Sequence, residues 1–158
     1  MSNLSQKKGP WTIVAVCAVA VAGLIYLNQH FFFSPFAYKR CTAAYLPWAW
    51  YKNPLQLEYG VLDDDGWKFA KITDEAEIRK VFAELSRCAE EPVSGDMDIS
   101  GEGAPVWFGI RRLADGAVLL SAEGIEDSPY FMVRDLATIR LNPELRDLLA
   151  SRLQQARV

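Results

Sequence analysis

The chain has 158 residues, a length that fits one domain, or one small domain with an attached segment. Its formal net charge is −3, and only Lys7 and Lys8 of its 17 basic residues precede residue 34, which leaves 15 basic against 20 acidic residues in the remainder. A mildly acidic domain without a basic run argues against nucleic acid as a partner.

The first predicted element is a membrane-spanning helix. From Trp11 to Leu27 the chain carries no charge. At about 1.5 Å per residue, a helix of this length covers most of the ~30 Å hydrocarbon layer of a bilayer. Trp11 at one end, and Tyr26 with the phenylalanines 31–33 at the other, are typical of membrane–water interfaces. These features predict a transmembrane signal-anchor over residues 11–33, with the lipid bilayer as its partner.

A cleaved signal peptide and a buried helix of a soluble domain are the alternatives to a retained anchor. A cleaved signal has a shorter apolar region of about 7 to 15 residues, and a cut after Ala22 would leave a strongly apolar N-terminus. A helix packed on a soluble core is usually amphipathic, whereas this run is apolar on all sides. The sequence therefore favours retention.

The orientation rests on charges that are almost balanced. Lys7 and Lys8 precede the span, and Lys39 and Arg40 follow it, so the positive-inside rule alone gives nearly a tie. A short tail is easily retained in the cytoplasm, and its lysines lie close to the span. We therefore expect a single-pass cell-membrane protein with residues 1–10 in the cytoplasm and the domain extracytoplasmic.

Small residues within the span could support helix pairing. Ala18 and Ala22 have the small-x-x-x-small spacing that can seat a helix dimer. Because an alanine-rich span contains this spacing by chance, a weak homodimer and a monomeric anchor both stay open. Cys17, in the same span, is interpreted as a small apolar residue.

The other two cysteines could form a disulfide. Cys41 and Cys88 would both lie outside the membrane, where disulfides persist. A bond between them would tie the segment after the span to the first helix of the domain. Two unpaired buried cysteines are the alternative, because sequence separation does not determine the distance between side chains.

Residues 34–54 form an aromatic segment with several prolines, unlike a flexible linker rich in Gly, Ser or charge. Its tryptophans and Tyr51 are expected either to lie on the membrane surface or to pack on the domain. A short helix is predicted from Cys41 to Tyr45. The domain itself is predicted over residues 55–158.

Two hairpins are predicted in the domain, each around an Asp-Gly turn. Asp65-Gly66 separates LQLEYGVLD from WKFAKI, and Asp115-Gly116 separates PVWFGIRRL from AVLLSAE. YFMVRD is predicted as a fifth strand, and ATIRL could continue it.

Two amphipathic helices complete the predicted domain. The first follows a cap at Thr73 or Asp74, and the second begins at Asn142-Pro143, a cap followed by a first-turn proline. Their apolar faces comprise Ile78, Val81, Phe82, Leu85 and Cys88 in the first helix, and Leu145, Leu148, Leu149 and Leu153 in the second. The order β-β-α-β-β-β-α predicts a two-layer α+β domain, with the helices on one face of a sheet.

Catalytic motifs are missing from the sequence. The only histidine, His30, lies at the edge of the span, so the predicted domain has none. This excludes a histidine general base, Ser-His and Cys-His pairs and histidine metal ligands within the domain. The chain also lacks Walker A, G-x-S-x-G, G-x-G-x-x-G and paired C-x-x-C motifs. We therefore expect no enzymatic activity and no cofactor.

One acidic segment resembles the first half of a calcium loop. Asp96, Asp98 and Ser100 stand at alternate positions before a glycine, and Glu102 could add a further oxygen. The bidentate carboxylate expected at the twelfth position falls on Trp107, however, and the flanking segments are not a helix pair. A solvated acidic loop is therefore favoured over a calcium site.

The run KITDEAEIRKVFAEL leads from a strand through I-T-D into an amphipathic helix. It resembles small extracytoplasmic domains of uncharacterised bacterial membrane-anchored proteins, particularly those of Gram-positive type. The resemblance covers residues 55–155 in layout and carries over no catalytic residue. It implies a protein of the bacterial envelope without enzymatic activity.

Three functions are compatible with the sequence. The favoured one is a membrane-tethered binding, interaction or sensory-regulatory module with a protein partner in the membrane or envelope. The first alternative is an accessory subunit of a larger membrane complex that is contacted through the helix. The second is an envelope enzyme that depends on carboxylates, with or without bound calcium.

Overall fold

The computed structural model describes residues 8–40, 46–91, 103–133 and 137–157. In these ranges the chain forms three α-helices and a seven-stranded antiparallel sheet, which confirms the predicted α+β class. The helices are α1 Lys8–His30, α2 Glu75–Leu85 and α3 Pro143–Ala156, with a 3-10 turn at Trp48–Trp50. The strands are β1 Leu55–Asp63, β2 Gly66–Ile72, β3 Ala89–Glu91, β4 Pro105–Arg112, β5 Val118–Ile125, β6 Tyr130–Val133 and β7 Ala137–Arg140. Their order in the sheet is β2-β1-β4-β5-β6-β7-β3.

Helix α1 is exposed from Trp11 to His30, apart from half-buried Leu27. Its part from Trp11 to His30 is long and apolar enough to cross a membrane, and none of it is buried against the rest of the chain. Trp11 is 77 % exposed and Val19 is 74 % exposed. Apolar surface in water costs about 25 cal/mol per Å², whereas lipid tails accept it. The helix is thus compatible with a membrane anchor, although the same length and composition also suit a signal sequence.

The hydrophobic core lies between one face of the sheet and two helices. Leu57, Tyr59 and Val61 alternate along β1 and are fully buried, because successive strand residues point to opposite faces. Helices α2 and α3 both contact β1 and also contact each other. The domain therefore has two layers, with the helices together on one face.

Both helix starts follow the caps identified in the sequence. The Asp74 carboxylate accepts a hydrogen bond from the Ala76 N–H at 3.3 Å at the start of α2. The Asn142 side chain accepts one from the Leu145 N–H at 2.8 Å, and Pro143 occupies the first turn of α3. Each bond satisfies an N–H that the helix itself leaves without a partner.

The two predicted hairpins are present. β1 pairs with β2 and β4 pairs with β5, both antiparallel, and the turns lie where the Asp-Gly pairs predicted them. Gly66 and Gly116 have φ values of +114° and +72°, a region that side chains disfavour. Glycine is therefore favoured at these two turns, because other side chains would strain the backbone there.

The C-terminal half of the sheet differs from the prediction. The predicted fifth strand is present as β6, but its continuation through ATIRL is wrong, because ATIR forms the separate strand β7, which pairs antiparallel with β6 and places Phe131 opposite Ile139. β3 is an additional strand that pairs with β7 through residues such as Glu90. Its three residues, AEE, contain no β-branched or aromatic side chain, so only the edge of β7 makes them a strand. The observed domain order is thus β-β-α-β-β-β-β-β-α.

Helix α2 ends earlier than its apolar pattern predicts. It stops at Leu85, and the Ser86 hydroxyl donates to the Ala83 carbonyl at 2.7 Å, a local bond that competes with helix continuation. Cys88 therefore lies beyond the helix and not on its face. It is nevertheless buried among the core residues.

One polar network crosses the core and joins three elements. The Tyr59 hydroxyl on β1 donates to Glu77 Oε1 on α2 at 3.2 Å, and Arg152 Nε on α3 donates to the same oxygen at 2.8 Å. A second Arg152 N–H donates to Glu77 Oε2. Burial, together with the charge of Glu77, raises the pKa of Tyr59 well above its usual range. The network holds the two helices in register with the sheet.

Helix α1 is joined to the domain by main-chain bonds. The Phe32 N–H donates to the Tyr51 carbonyl at 2.8 Å, and the Asn53 N–H donates to the His30 carbonyl at 3.0 Å. Phe32 is 2 % exposed and Tyr51 is fully buried. The core therefore includes residues that precede the predicted domain start at residue 55.

Aromatic rings fill the same junction. The ring centroid of Phe33 lies 4.3 Å from that of Phe82 on α2 and 5.2 Å from that of Tyr51. Of the two placements expected for Tyr51, packing on the domain is the one observed, whereas Trp50 is 52 % exposed. The short helix predicted from residue 41 to 45 lies outside the described residues.

Candidate binding surface on the open face of the sheet

The face of the sheet opposite α2 and α3 carries exposed aromatic side chains. Trp67 and Phe69 on β2 are each 46 % exposed, and they alternate with the less exposed Lys68 and Ala70. Half-buried Trp107 on β4 points to the same face, because Gly60 of β1 pairs with Phe69 on one side and with Trp107 on the other. We call Trp67, Phe69 and Trp107 the aromatic surface.

The three rings of the aromatic surface are in contact. The rings of Trp67 and Phe69 are within 20° of parallel, with centroids 6.0 Å apart. Trp107 meets Phe69 edge-on at 83°, also with centroids 6.0 Å apart. Edge-to-face and offset ring pairs are favoured by about 0.5–1.5 kcal/mol beyond the area that they bury. The surface is therefore an ordered cluster of neighbouring rings.

Two glycines let these rings approach the strands. A Cβ added to Gly60 would lie 2.7 Å from Phe69 Cε1, and one added to Gly109 would lie 2.6 Å from Trp107 Cη2. Both distances are too short for real Cβ atoms. Glycine inside a strand often marks such a close approach. The aromatic surface therefore depends on the absence of side chains at these two positions.

A cationic cluster lies beside the rings. Glu58 on β1 is buried, and it accepts hydrogen bonds from Arg111 Nε and Nη2 at 3.2 and 3.1 Å. Lys71 Nζ lies 3.9 Å from the other carboxylate oxygen. The buried carboxylate thus has its charge compensated, as buried charges require. Two cations against one anion leave a net positive charge next to the aromatic surface.

The register of the strands places the cationic cluster beside the rings on the same face of the sheet. Lys71 stands two residues after Phe69 on β2, and Glu58 stands two residues before Gly60 on β1. Strand residues two apart lie about 7 Å from each other on one face. On the other side, exposed Glu123 on β5 pairs with Trp107, so a negative charge borders the rings there.

The aromatic surface is remote from the end of the sheet where α1 enters. A cavity of about 410 Å³ between α1 and the β4–β5 turn is lined by His30, Asn53, Arg112 and Asp115, among others. There the Arg112 guanidinium lowers the pKa of Asp115 to about 2 and donates to the Trp50 carbonyl at 3.0 Å. Strand β1 begins at this end of the sheet with Leu55. At about 3.3 Å per residue, Gly60, which lies under the aromatic surface, is roughly 17 Å further along the strand.

A larger cavity, of about 770 Å³, lies between α3 and the β6–β7 pair. Its lining carries both signs of charge, including Arg140, Arg146, Asp127 and Asp147. Mixed charges of this kind are typical of solvated surface and select no ligand charge. The aromatic surface is therefore the better candidate for binding.

The predicted calcium ligands lie in residues 92–102, outside the described residues; they are Asp96, Asp98, Ser100 and Glu102. Across the described ranges, no three His, Cys, Asp or Glu side chains come together as a metal site would need. The calcium loop stays a prediction.

The predicted Cys41–Cys88 disulfide also stays a prediction, because Cys41 lies outside the described residues. Cys88 Sγ lies 3.4 Å from the Glu84 carbonyl oxygen, to which the thiol donates. Burial raises the pKa of the Cys88 thiol, which reduces its reactivity as a nucleophile.

Sequence reasoning assigned the strands of this surface and missed the surface itself. The available signal was the alternation of Trp67 and Phe69 in GWKFAKI, combined with single glycines inside two strand patterns. An apolar alternation normally faces the core. In β2 the large rings face outward and the smaller Ala70 and Ile72 face inward, so the usual rule gives the wrong face.

No protein-family model, curated protein or solved structure matches this chain.

Proposed function

We propose that this protein is a single-pass envelope protein whose α+β domain binds a protein partner through the aromatic surface. In this proposal α1 is a retained anchor, residues 1–10 are cytoplasmic and the domain is extracytoplasmic. The observation that carries the proposal is the exposure of Trp67 and Phe69 on an open sheet face, beside a net positive cluster.

The size of the open face supports a protein as the occupant. From strand spacing and rise, the four neighbouring strands β2, β1, β4 and β5 offer about 500 Å² on this face, more than half of the roughly 800 Å² that each partner contributes to a standard interface. Trp and Arg are the residues most often found at binding hot spots. The partner should place apolar groups on Trp67 and Phe69 and a carboxylate near Arg111 and Lys71.

A binding role requires no catalytic group and no cofactor. The domain after His30 contains no histidine, and its buried carboxylates Glu58, Glu77 and Glu84 are engaged by arginines. In each of them a carboxylate oxygen already accepts an arginine N–H, so that oxygen is not free to accept a proton from a substrate. We therefore propose a non-enzymatic role for the described part of the domain.

The test compares two exposed tryptophans in the full chain. The wild type is purified in mild detergent from the membranes of its own cells, copurifying proteins are identified, and each is produced separately for binding measurements. Trp67→Ala should weaken binding roughly 30-fold, since a hot spot contributes about 2 kcal/mol or more. Trp50→Ala, which removes a tryptophan of similar exposure near α1, should leave the affinity unchanged.

Equal affinities for wild type and Trp67→Ala would contradict the proposal. The exposed length of α1 also favours the accessory-subunit alternative, in which the partner contacts the helix. Replacing residues 11–30 by an unrelated span separates the two, because only the alternative loses its partner. Protease accessibility of the C-terminus in intact cells checks the proposed orientation.

A further inference from the structure

A cavity at the junction of α1 and the domain combines an aromatic wall with basic residues. Its volume is about 460 Å³, within the range of small-ligand pockets. The aromatic wall consists of Phe32, Phe33, Tyr38 and Phe82. Asn28 near the end of α1 and the basic residues Lys39 and Arg79 also line it. We call it the junction cavity.

The junction cavity lies where the apolar helix ends. Asn28 is two residues before the last residue of α1, and the apolar span runs from Trp11 to His30. When a helix crosses a bilayer, the residues at its ends lie among the lipid headgroups. The cavity is therefore adjacent to headgroups when α1 is in a membrane.

Arg79 is placed to bind an anion at this cavity. Its guanidinium carbon lies 4.3 Å from the ring centroid of Phe32 and 5.9 Å from that of Phe33, so the rings hold the cation in position. Arg79 Nη2 also lies 3.6 Å from Glu75 Oε2, and both side chains of this ion pair are about half exposed. Exposed pairs of this kind contribute about 0–1 kcal/mol, so a phosphate can displace Glu75.

The charge distribution of the domain matches an anionic membrane surface. Lys39 and Arg79 lie at the junction with α1, whereas the β1–β2 turn at the opposite end of β1 carries Asp63, Asp64 and Asp65. Basic residues near an anionic bilayer surface contribute about 1 kcal/mol each, and the effect falls off within a Debye length. The acidic turn is roughly 26 Å along β1 from its start, beyond that length.

We propose that the junction cavity binds one anionic membrane phospholipid. Arg79 and Lys39 bind the phosphate, and the half-buried rings of Phe33 and Tyr38 contact the apolar part of the lipid next to the headgroup. The proposal goes beyond the partner-binding role, since it concerns other residues at the other end of the sheet. It predicts a bound lipid that depends on headgroup charge and on these two side chains.

The test titrates the full-length protein in detergent micelles with phosphatidylglycerol, with phosphatidylcholine or with inorganic phosphate, and records the melting temperature. A ligand that binds only the folded state raises the melting temperature by mass action. Phosphatidylglycerol should stabilise the wild type, and the other two probes should have little effect. Arg79→Gln should weaken the apparent affinity about tenfold or more, because a hydrogen bond to a charged group contributes about 1.5–3 kcal/mol.

Arg146→Gln removes an exposed arginine of α3 that does not line the junction cavity, and it should behave as the wild type. If Arg79→Gln is poorly folded, Lys39→Gln and a count of lipids retained in native mass spectrometry provide the same comparison. Equal stabilisation by both lipids, or stabilisation by inorganic phosphate alone, would overturn the proposal. So would equal losses from Arg79→Gln and Arg146→Gln, which would indicate a general charge effect.

Discussion

Gly60→Ala and Gly109→Ala should change the stability of the protein to different extents, although both glycines lie under rings of the aromatic surface. At Gly60 the three atoms nearest to an added Cβ belong to Phe69 and Trp67, whose rings are half exposed and can move outward. At Gly109 the added Cβ meets Trp107 at 2.6 Å and also the Leu120 carbonyl oxygen at 2.9 Å. That oxygen is main chain in the neighbouring strand β5, so it can move only if the β4–β5 pairing moves.

The magnitudes follow from two opposing effects. Alanine lowers the entropy of the unfolded chain, which stabilises the protein by about 0.4–1 kcal/mol where the backbone conformation is compatible. Overpacking destabilises it by about 1–3 kcal/mol. For Gly60→Ala the displaced rings reach solvent, so we expect a net change within about 1 kcal/mol. For Gly109→Ala we expect a net loss of about 1–2 kcal/mol, or roughly 4–16 °C in melting temperature for a domain of this size.

The assay is thermal unfolding of the full chain in micelles, followed by tryptophan fluorescence, together with partner affinity. The Gly60→Ala variant should be about as stable as the wild type but should bind the copurified partner protein more weakly, because the displaced rings no longer form the same surface. Gly109→Ala should lose stability. If Gly60→Ala were the more destabilising of the two, the distinction between mobile rings and fixed main chain would be refuted.

Three further predictions concern the core. Tyr59→Phe should lower the free energy of unfolding by about 1–2 kcal/mol at neutral pH, because it removes the hydrogen bond to Glu77. Folding raises the pKa of Tyr59, so the stability of the wild type should fall as the pH rises above about 10, where only the unfolded chain releases this proton. Urea unfolding at several pH values should show a shallower fall in Tyr59→Phe. Asn142→Ala should cost about 1–2 kcal/mol, because it removes the cap of α3 and its bond to the Glu84 carbonyl at 3.2 Å, and urea unfolding would contradict this if the midpoint were unchanged. Phe82→Ala should cost about 3–5 kcal/mol, because Phe82 is buried in the junction, and a loss below 1 kcal/mol in the same assay would mean that the junction rings contribute little.

The local features of the fold were predictable because each depends on neighbouring residues. Asp74 and Asn142 cap helices through bonds to residues two or three positions away, and Gly66 and Gly116 satisfy turns that need positive φ. The hairpins follow from these turns. By contrast, β3 is a strand only because it pairs with the edge of β7, and the sequence AEE contains no local pattern that predicts this pairing.

The candidate surface was harder to predict for a related physical reason. Whether Trp67 faces the core or solvent depends on which face of the sheet the helices cover, and strand alternation is symmetric between the two faces. The pairing of Glu58 with Arg111 joins residues on different strands, so it follows only from the register of β1 and β4. The sequence therefore predicted strands β1, β2, β4 and β5 and the turns between them, but not the chemistry of the open face.

The connection between α1 and the domain has a consequence for how the protein meets other molecules. The carbonyl of His30, at the last residue of α1, already accepts the Asn53 N–H, and Phe32 is packed inside the core two residues later. The helix is therefore joined to the domain without a flexible linker. A rotation of α1 about its axis, or a shift along it, moves the whole domain with it. If α1 is the anchor and the aromatic surface the binding site, as proposed above, a partner in the same bilayer meets that surface at a fixed height and in a fixed direction. Part of the rotational entropy cost of association is then already met before the two proteins touch.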